Sequence, residues 1–406
     1  MGISWWSWRA SQLAVTPKKR KMGAQNKKKR TIAVFTGKRG GFGALISTLE
    51  AIEADPMLSF KLLVTDMHLS TRFGKTETEV KKWFSVAHRI SLGEYDDTPV
   101  KRAEALGRCY QKMVKVLSDI KPDILLVLGD RGEVLAAAYA ATELNIPVAH
   151  ILGGDVAGNL DGNRIHAITK LSHIHFPSNR DAYKRILKLG EEEWRVHNVG
   201  SSYLDLVREG RHTPNSEARA RYGLSKDEPY AMLIQHPVTL QEKESFNEMK
   251  AILQALKKDG IRTIVSYPCS DPGYTGVIRA IEMYAKEPQF IVHKNIEAVD
   301  FWGLMAGATF FIGNSSSGLM ETPYFSLPAV NVGSRQEGRV RDKNVIDAKA
   351  TLNDITRAIK RAKKPSTRKT FKNKYLFGRA LAGPHIARVL KEVPLGYALL
   401  RKKVTF

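Results

Sequence analysis

Three carboxylates, Asp130, Asp155 and Asp161, stand where acid–base chemistry would need them. Asp155 follows Gly153-Gly154 at the end of an apolar run, where a structural reason for an acid is hardest to find. Asp130, in Gly129-Asp130-Arg131, could act on a substrate or merely pair with Arg131 or a nearby lysine. Asp161 could act likewise or cap the helix that runs through Ala167 and Leu171. Carboxylates held close in a dry cleft push their pKa values apart, which supplies one acid and one base. Anion-binding groups are also present. The turn Gly37-Lys38-Arg39-Gly40-Gly41-Phe42-Gly43 is not a dinucleotide fingerprint, because Ile46 fills the third glycine position, and it is not a Walker A loop. It reads as a tight strand-to-helix turn that aims Arg39 at an anion. The run Asn314-Ser315-Ser316-Ser317-Gly318 opens a helix, where free N–H groups and hydroxyls favour a phosphate. Three serines and a glycine exceed what a cap needs. His236, between Gln235 and Pro237, fits a donor to phosphate oxygen. His150 lies in an apolar strand and reads as a core histidine. His166 and His173 are seven apart near one helix face, but no metal ion is expected there.

These residues share a position relative to the elements that must carry them. Apolar, β-rich runs occur at Thr31–Thr36, Lys61–Thr65, Ile124–Leu128, Val148–Leu152, Tyr230–Ile234, Arg262–Tyr267, Phe290–His293, Thr309–Ile312 and Ala329–Val332. Amphipathic stretches such as Leu45–Ala54, Lys101–Ile120, Val134–Leu144, Phe246–Lys258 and Asp300–Ala306 lie between them. The alternation predicts an α/β fold of parallel sheets with helices on both faces. In such sheets ligands bind beyond the carboxyl ends of the strands. Glycine, charge and hydroxyl groups follow the strands in both halves, which implies one shared cleft. The polar stretch Val207–Ser216 breaks the alternation. We therefore expect a basic disordered tail over residues 1–30, Rossmann-like domains over 31–207 and 208–372, and a basic tail over 373–406 with a terminal helix that returns to the first domain.

At 406 residues the chain is long enough for two cores. The formal net charge is +23, but nine of the cations and no acid fall within residues 1–30. A second basic run spans Arg357–Lys374. A basic body suits an enzyme that captures diphosphates, so nucleic acid is not the expected partner. No apolar run reaches the roughly 20 residues of a membrane span, and no membrane association is expected. The segment with Trp5, Trp6 and Trp8 lacks the apolar stretch of a secretory signal, and Lys18–Lys21 resembles a nuclear-type run. We read both as part of a tail or of a stretch preceding a start at Met22. Two cysteines, Cys109 and Cys269, without disulfide or metal spacing suit a cytoplasmic protein.

Six segments in order resemble the hydrolysing UDP-N-acetylglucosamine 2-epimerases: Gly129–Arg131, Gly153–Asp155, His166–His173, Gln235–Thr239, Gly313–Gly318 and Arg335–Arg339. The resemblance spans roughly residues 31–348. It implies two Rossmann-like domains facing across a cleft in the GT-B manner, and a homodimer or homotetramer. It also implies roles for this chain's residues. Arg39 and His236, with Ser315, Ser316, Ser317 and Gly318, would hold the diphosphate, and Glu321 would bond the ribose. Asp130, Asp155 and Asp161, with Arg131 beside them, would surround the sugar and supply acid–base groups. His166 would contact substrate, while Arg335 and Arg339 would close the site from the second domain. Three departures touch the sugar end. The family's Arg-Ala-Asp-Tyr is Arg39-Gly40-Gly41-Phe42 here, its acidic pair is Asp161-Gly162, and its Arg-His is Ile165-His166.

The implied substrate is a nucleotide sugar, and the implied reaction inverts C2 of a 2-acetamido sugar. That C2 proton is not acidic at rest. Oxidation of a neighbouring carbon by NAD would activate it, but the dinucleotide fingerprint is missing, and no cofactor is expected. Departure of the nucleotide would also activate it: cationic groups stabilise the leaving diphosphate, C1 gains oxocarbenium character, and a carboxylate removes the proton. Water adding to the glycal then gives the free 2-epimer. Asp155 and Asp130 are the expected acid and base, in either order. A GT-B glycosyltransferase, a non-hydrolysing epimerase and a non-catalytic nucleotide-sugar sensor are the rival readings. The sequence leaves open UDP against GDP, and N-acetylglucosamine against a 4-acetamido-6-deoxy relative.

Overall fold

The computed structural model describes residues 29–93, 95–158, 160–369, 371–379 and 381–406. The tryptophans at 5, 6 and 8 and the basic run 18–21 lie outside the described residues. Among the described residues, twelve strands form two parallel six-stranded sheets. The first comprises β1 (Arg30–Thr36), β2 (Leu58–Thr65), β3 (Val86–Ile90), β4 (Ile124–Leu128), β5 (Val148–Ile151) and β6 (Ile174–Phe176), in the order β3-β2-β1-β4-β5-β6. The second comprises β7 (Tyr230–Ile234), β8 (Arg262–Ser266), β9 (Phe290–His293), β10 (Phe310–Gly313), β11 (Ala329–Val332) and β12 (Val345–Ala348), in the order β12-β11-β10-β7-β8-β9. Two Rossmann-like α/β domains result.

All nine apolar runs named above become strands, though β2 begins at Leu58, three residues earlier than expected. The sequence reading missed β3, β6 and β12. Each ends a sheet; β6 is a buried strand of three residues, too short to stand out, whereas an open edge strand such as β3 or β12 has a neighbour on one side only. It therefore needs no continuous apolar run; β3 and β12 keep exposed residues in their middles. Central strands are buried throughout, as in Ile32–Phe35 and Tyr230–Leu233. The helices between them follow ordinary signals. Thr98 caps Pro99–Ile120 by accepting from the Lys101 N–H at 3.2 Å, Pro99 begins it, and Lys121 ends it in the left-handed conformation.

The chain crosses between the sheets through the short helices Asp205–Arg208 and Asn215–Arg221. Near the C-terminus, the helix Ala382–Glu392 packs on Ile46–Ala54 of the first sheet's layer. The Asp205 carboxylate fastens its start, accepting from the N–H groups of Ala382 and Gly383 at 3.0 and 2.7 Å. Among the described residues, no helix is long and apolar enough to cross a membrane.

Strand order reverses between β1 and β4 in one sheet and between β7 and β10 in the other. At such a switch point the loops after neighbouring strands run in opposite directions and leave a crevice. The two crevices face each other.

Candidate active site

Two adjoining cavities of about 710 Å³ each occupy the cleft, and Lys38, Tyr203 and Ser316 line both. One has apolar walls from Ile296, Phe301 and Trp302, with polar groups from Ser315–Ser317, Glu321 and His236. The other has Asp130 and Asp155 on one wall and Arg335 and Arg339 on the facing one.

Asn314, fully buried next to the cavity-lining Ser315, joins two strands beside the apolar cavity. Its side chain accepts from the His236 N–H at 2.7 Å and donates to the His236 carbonyl at 2.8 Å, which ties the ends of β7 and β10 together. Its own carbonyl accepts from Arg335 at 3.2 Å and Gln336 at 2.7 Å. Gly313 makes the approach feasible: its φ is 125°, and a Cβ there would lie 2.0 Å from the Ile234 carbonyl oxygen. The His236 Nδ1 accepts from the Cys269 N–H at 3.0 Å, which leaves the ring proton on Nε2. Burial, with Arg335 and Lys38 nearby, drives the ring pKa well below its ordinary value, so the imidazole is neutral.

Ser315, Ser316 and Ser317 line this cavity, but the helix they open runs only from Ser317 to Met320. One turn carries little macrodipole, so hydroxyls and local N–H groups dominate any attraction for an anion. Gly318 faces away: a Cβ on it would lie 3.1 Å from the Phe311 ring. Glu321 accepts from the Trp302 indole N–H, and burial raises its pKa. Arg39 lines the same cavity and is also tied to the second domain. Its guanidinium donates to the carbonyls of Tyr267 and Lys294 and to the Ser266 hydroxyl at 3.2 Å, all on the second domain. Burial lowers its pKa to about 10.

In the acidic cavity, Asp130 lies 3.5 Å from an Arg339 nitrogen, and Asp155 accepts from the Asn179 side chain at 3.3 Å. Arg339 also donates to the Val156 carbonyl at 2.8 Å. Asp161 stands behind this wall, with Arg335 at 3.6 Å and Arg164 at 3.3 Å. Burial first, then the charges of Asp130 and Asp271, push its pKa up to about 6. It is the first residue of its helix, after the cap position Leu160.

Two other expected residues, His166 and Arg131, are placed differently from each other. Ile165, not His166, reaches the cavity wall, and the His166 ring sits in the field of Arg185. Arg131 borders the acidic cavity, but all its bonds run to neighbours: Glu133 at 2.6 Å, Asp66 and Asp271 at 3.0 Å, and the Ser270 hydroxyl at 2.6 Å. It is an interdomain clamp. His150 is buried with Nε2 on the Gly129 carbonyl at 2.7 Å. His173 accepts from the Val148 N–H at 3.1 Å, and His175 meets Glu191 at 3.2 Å.

The sequence of residues 50–391 matches the family model described as UDP-N-acetylglucosamine 2-epimerase. The chain belongs to the UDP-N-acetylglucosamine 2-epimerase family. It is 34% identical over 376 residues to a hydrolysing UDP-N,N'-diacetylbacillosamine 2-epimerase of Legionella pneumophila, covering 92% of this chain and 98% of the relative. It is 30% identical over 340 residues to a hydrolysing GDP/UDP-N,N'-diacetylbacillosamine 2-epimerase of Campylobacter jejuni, covering 82% and 87%. Among solved structures, the Methanocaldococcus jannaschii UDP-GlcNAc 2-epimerase in complex with UDP-GlcNAc and UDP superposes with a TM-score of 0.74 at 20% identity. That match covers 89% of this chain and 99% of the other, and it shows a shared GT-B-like fold.

In this epimerase several cleft residues carry no motif that would have drawn notice. Lys38 lines both cavities, and only its place beside Arg39 in the Gly37–Gly43 turn could have signalled it. Asp66, Glu133, Arg102, Ser270 and Asp271 form a buried ionic cluster with Arg131. Its members are scattered through the sequence, and only the packing of the two domains unites them.

Proposed function

We propose that the chain hydrolyses a UDP-linked 2-acetamido sugar and inverts it at C2, releasing UDP and the free 2-epimer. The observation that carries this reading is the junction of the two cavities. A site for a nucleotide, with Glu321, the serines and a His236 Nε2 donor, opens through Lys38 and Ser316 onto a site with two carboxylates. In this reading Lys38 and His236 support the leaving diphosphate, while Arg39 braces the second domain. The C1–O bond breaks, and its electron pair leaves with UDP. One of Asp130 and Asp155 takes the C2 proton, forming a C1=C2 double bond. Water then adds its oxygen to C1, while a proton reaches C2 from the opposite face. Asp161 holds Arg335 against this wall. The hydrolysing relatives of similar length support the release of free sugar.

Leu128, Leu152, Ile165 and Met320 make much of the acidic cavity's remaining wall apolar. A 4-acetamido-6-deoxy sugar carries a methyl in place of the C6 hydroxymethyl of N-acetylglucosamine and an acetamido group in place of its 4-hydroxyl. The C6 methyl suits such a wall better than a hydroxyl, which needs a partner when buried. UDP-N,N'-diacetylbacillosamine is therefore the substrate we assign. Purified protein would be incubated separately with that compound and with UDP-N-acetylglucosamine, and products identified by NMR. The assignment expects UDP and a free 2-epimer, at a higher kcat/KM from the diacetamido sugar. Preference for N-acetylglucosamine would overturn the sugar, and return of an intact UDP-sugar would overturn hydrolysis.

A further inference from the structure

Two helices of the second domain begin at the cleft without a cap of their own. The helix Tyr274–Tyr284 has Gly273 at its cap position, with φ at 95°. A Cβ on Gly273 would lie 2.9 Å from the Ser245 hydroxyl and 3.1 Å from Glu242, so a capping side chain cannot grow there. The helix Ala298–Gly307 has Glu297 at its cap position, but that side chain makes no capping bond and pairs with Lys82 of the first domain. Exposed N–H groups at a helix start need acceptors.

The first domain supplies them. Asp97 reaches across and accepts from the Gly273 N–H at 2.9 Å, the Thr275 N–H at 2.8 Å and the Thr275 hydroxyl at 2.7 Å. Glu79 accepts from the Ala298 N–H at 2.8 Å. The Thr275 N–H is a donor that an ordinary cap would satisfy from within its own helix. Here the bond exists only while the domains are together. The loop just before Gly273 carries Cys269, whose N–H holds the His236 ring, and Ser270 and Asp271, which bind Arg131.

We propose that Asp97 is a positioning residue that caps the second domain's helix in trans, and so fixes the Cys269–Gly273 loop and the His236 ring as the cleft closes. The contact makes cleft closure the event that completes one helix and orients one imidazole. Glu79 does the same for the segment bearing Ile296 and Ala298, which line the apolar cavity.

The test compares full-length wild type with Asp97→Ala, Asp97→Asn and the neighbouring control Asp96→Ala. Amide exchange at Gly273 and Thr275, the ring-nitrogen spectrum of His236, UDP affinity and thermal melting are measured. Asp97→Ala should strip protection from both amides, mix the His236 tautomers and weaken UDP by about tenfold, the scale of a lost charge-assisted contact. Melting should shift little, Asp97→Asn should fall between, and Asp96→Ala should match wild type. Unchanged exchange and tautomer would overturn the proposal, as would losses that only follow a collapse in melting. Should Asp97→Ala fail to fold, Asp97→Asn decides by the same readouts. The proposal rests on the nucleotide reading only for its probe. Wild type that ignores UDP would overturn that reading, while exchange in unliganded protein would still decide the cap.

Discussion

In the proposed reaction, Asp155 and Lys38 carry separable roles. An amide in place of the Asp155 carboxylate cannot take or return a proton but keeps nearly the same shape. Asp155→Asn should lower turnover by about 10²–10⁴-fold, the usual share of a general acid or base, and leave UDP affinity nearly unchanged. Calorimetry with UDP and a product assay would check both halves. Unchanged turnover would remove Asp155 from the reaction. Lys38 is a point charge at the junction of the cavities, so Lys38→Met should lower kcat by about 10²-fold through lost support of the leaving group. At this scale the sequence was informative where chemistry leaves a local trace. Asp130, Asp155, His236 and the serines follow strands, and the structure places them on the cavity walls. His166 was placed one residue out, because a helix turns about 100° per residue and puts Ile165 on the cavity instead. Arg131 sat in a motif that spacing alone cannot separate from a clamp.

The elements explain why those side chains hold still. Gly313 allows β7 and β10 to be joined by Asn314, so Gly313→Ala should cost about 3 kcal/mol or more from a backbone clash at an unfavourable φ. A thermal melt would show a drop of several degrees, and an unchanged melt would contradict the close approach described here. The trans contact of Glu79 gives a dependence on pH. Burial in the closed form raises its pKa to about 7, against the pull of the Ala298 N–H, Asn295 and Lys82 and with the push of Glu297. In an opened, solvated cleft the group would return toward an ordinary carboxyl value. The closed form therefore binds the proton more tightly. Closure is favoured at low pH and weakens as pH rises through about 7. Glu79→Gln should flatten UDP affinity between about pH 5 and 8, leaving wild type to decline across that window. Parallel profiles would remove Glu79 as the cause. Central strands were legible because burial on both faces writes itself as an unbroken apolar run. Edge strands β3 and β12 were not, because one free side relaxes that requirement, and β6 was not because its three buried residues are too short a run.

Across the whole molecule, two sheets with mirrored purpose meet edge to edge and leave one cleft. Beside apolar contacts such as Phe73 on Tyr274, many contacts across it are polar: Arg131 to Asp271, Arg339 to Asp130, Arg335 to Asp161, Arg39 to two carbonyls, and Asp97 to a helix start. Such contacts form and break at less cost than an apolar core, which suits a cleft that must admit a substrate and release two products. None of these pairs was visible in the sequence, since each joins residues far apart along the chain, whereas the order of motifs already pointed to the family. The central claim is that the nucleotide departs before C2 is inverted and that water completes the sugar. Carrying out the reaction in heavy water with UDP-N,N'-diacetylbacillosamine, and no acceptor, tests it most directly. UDP and a free 2-epimer bearing one deuterium at C2 are the expected products. A product that still carries the nucleotide, or a free epimer with only hydrogen at C2, would contradict it.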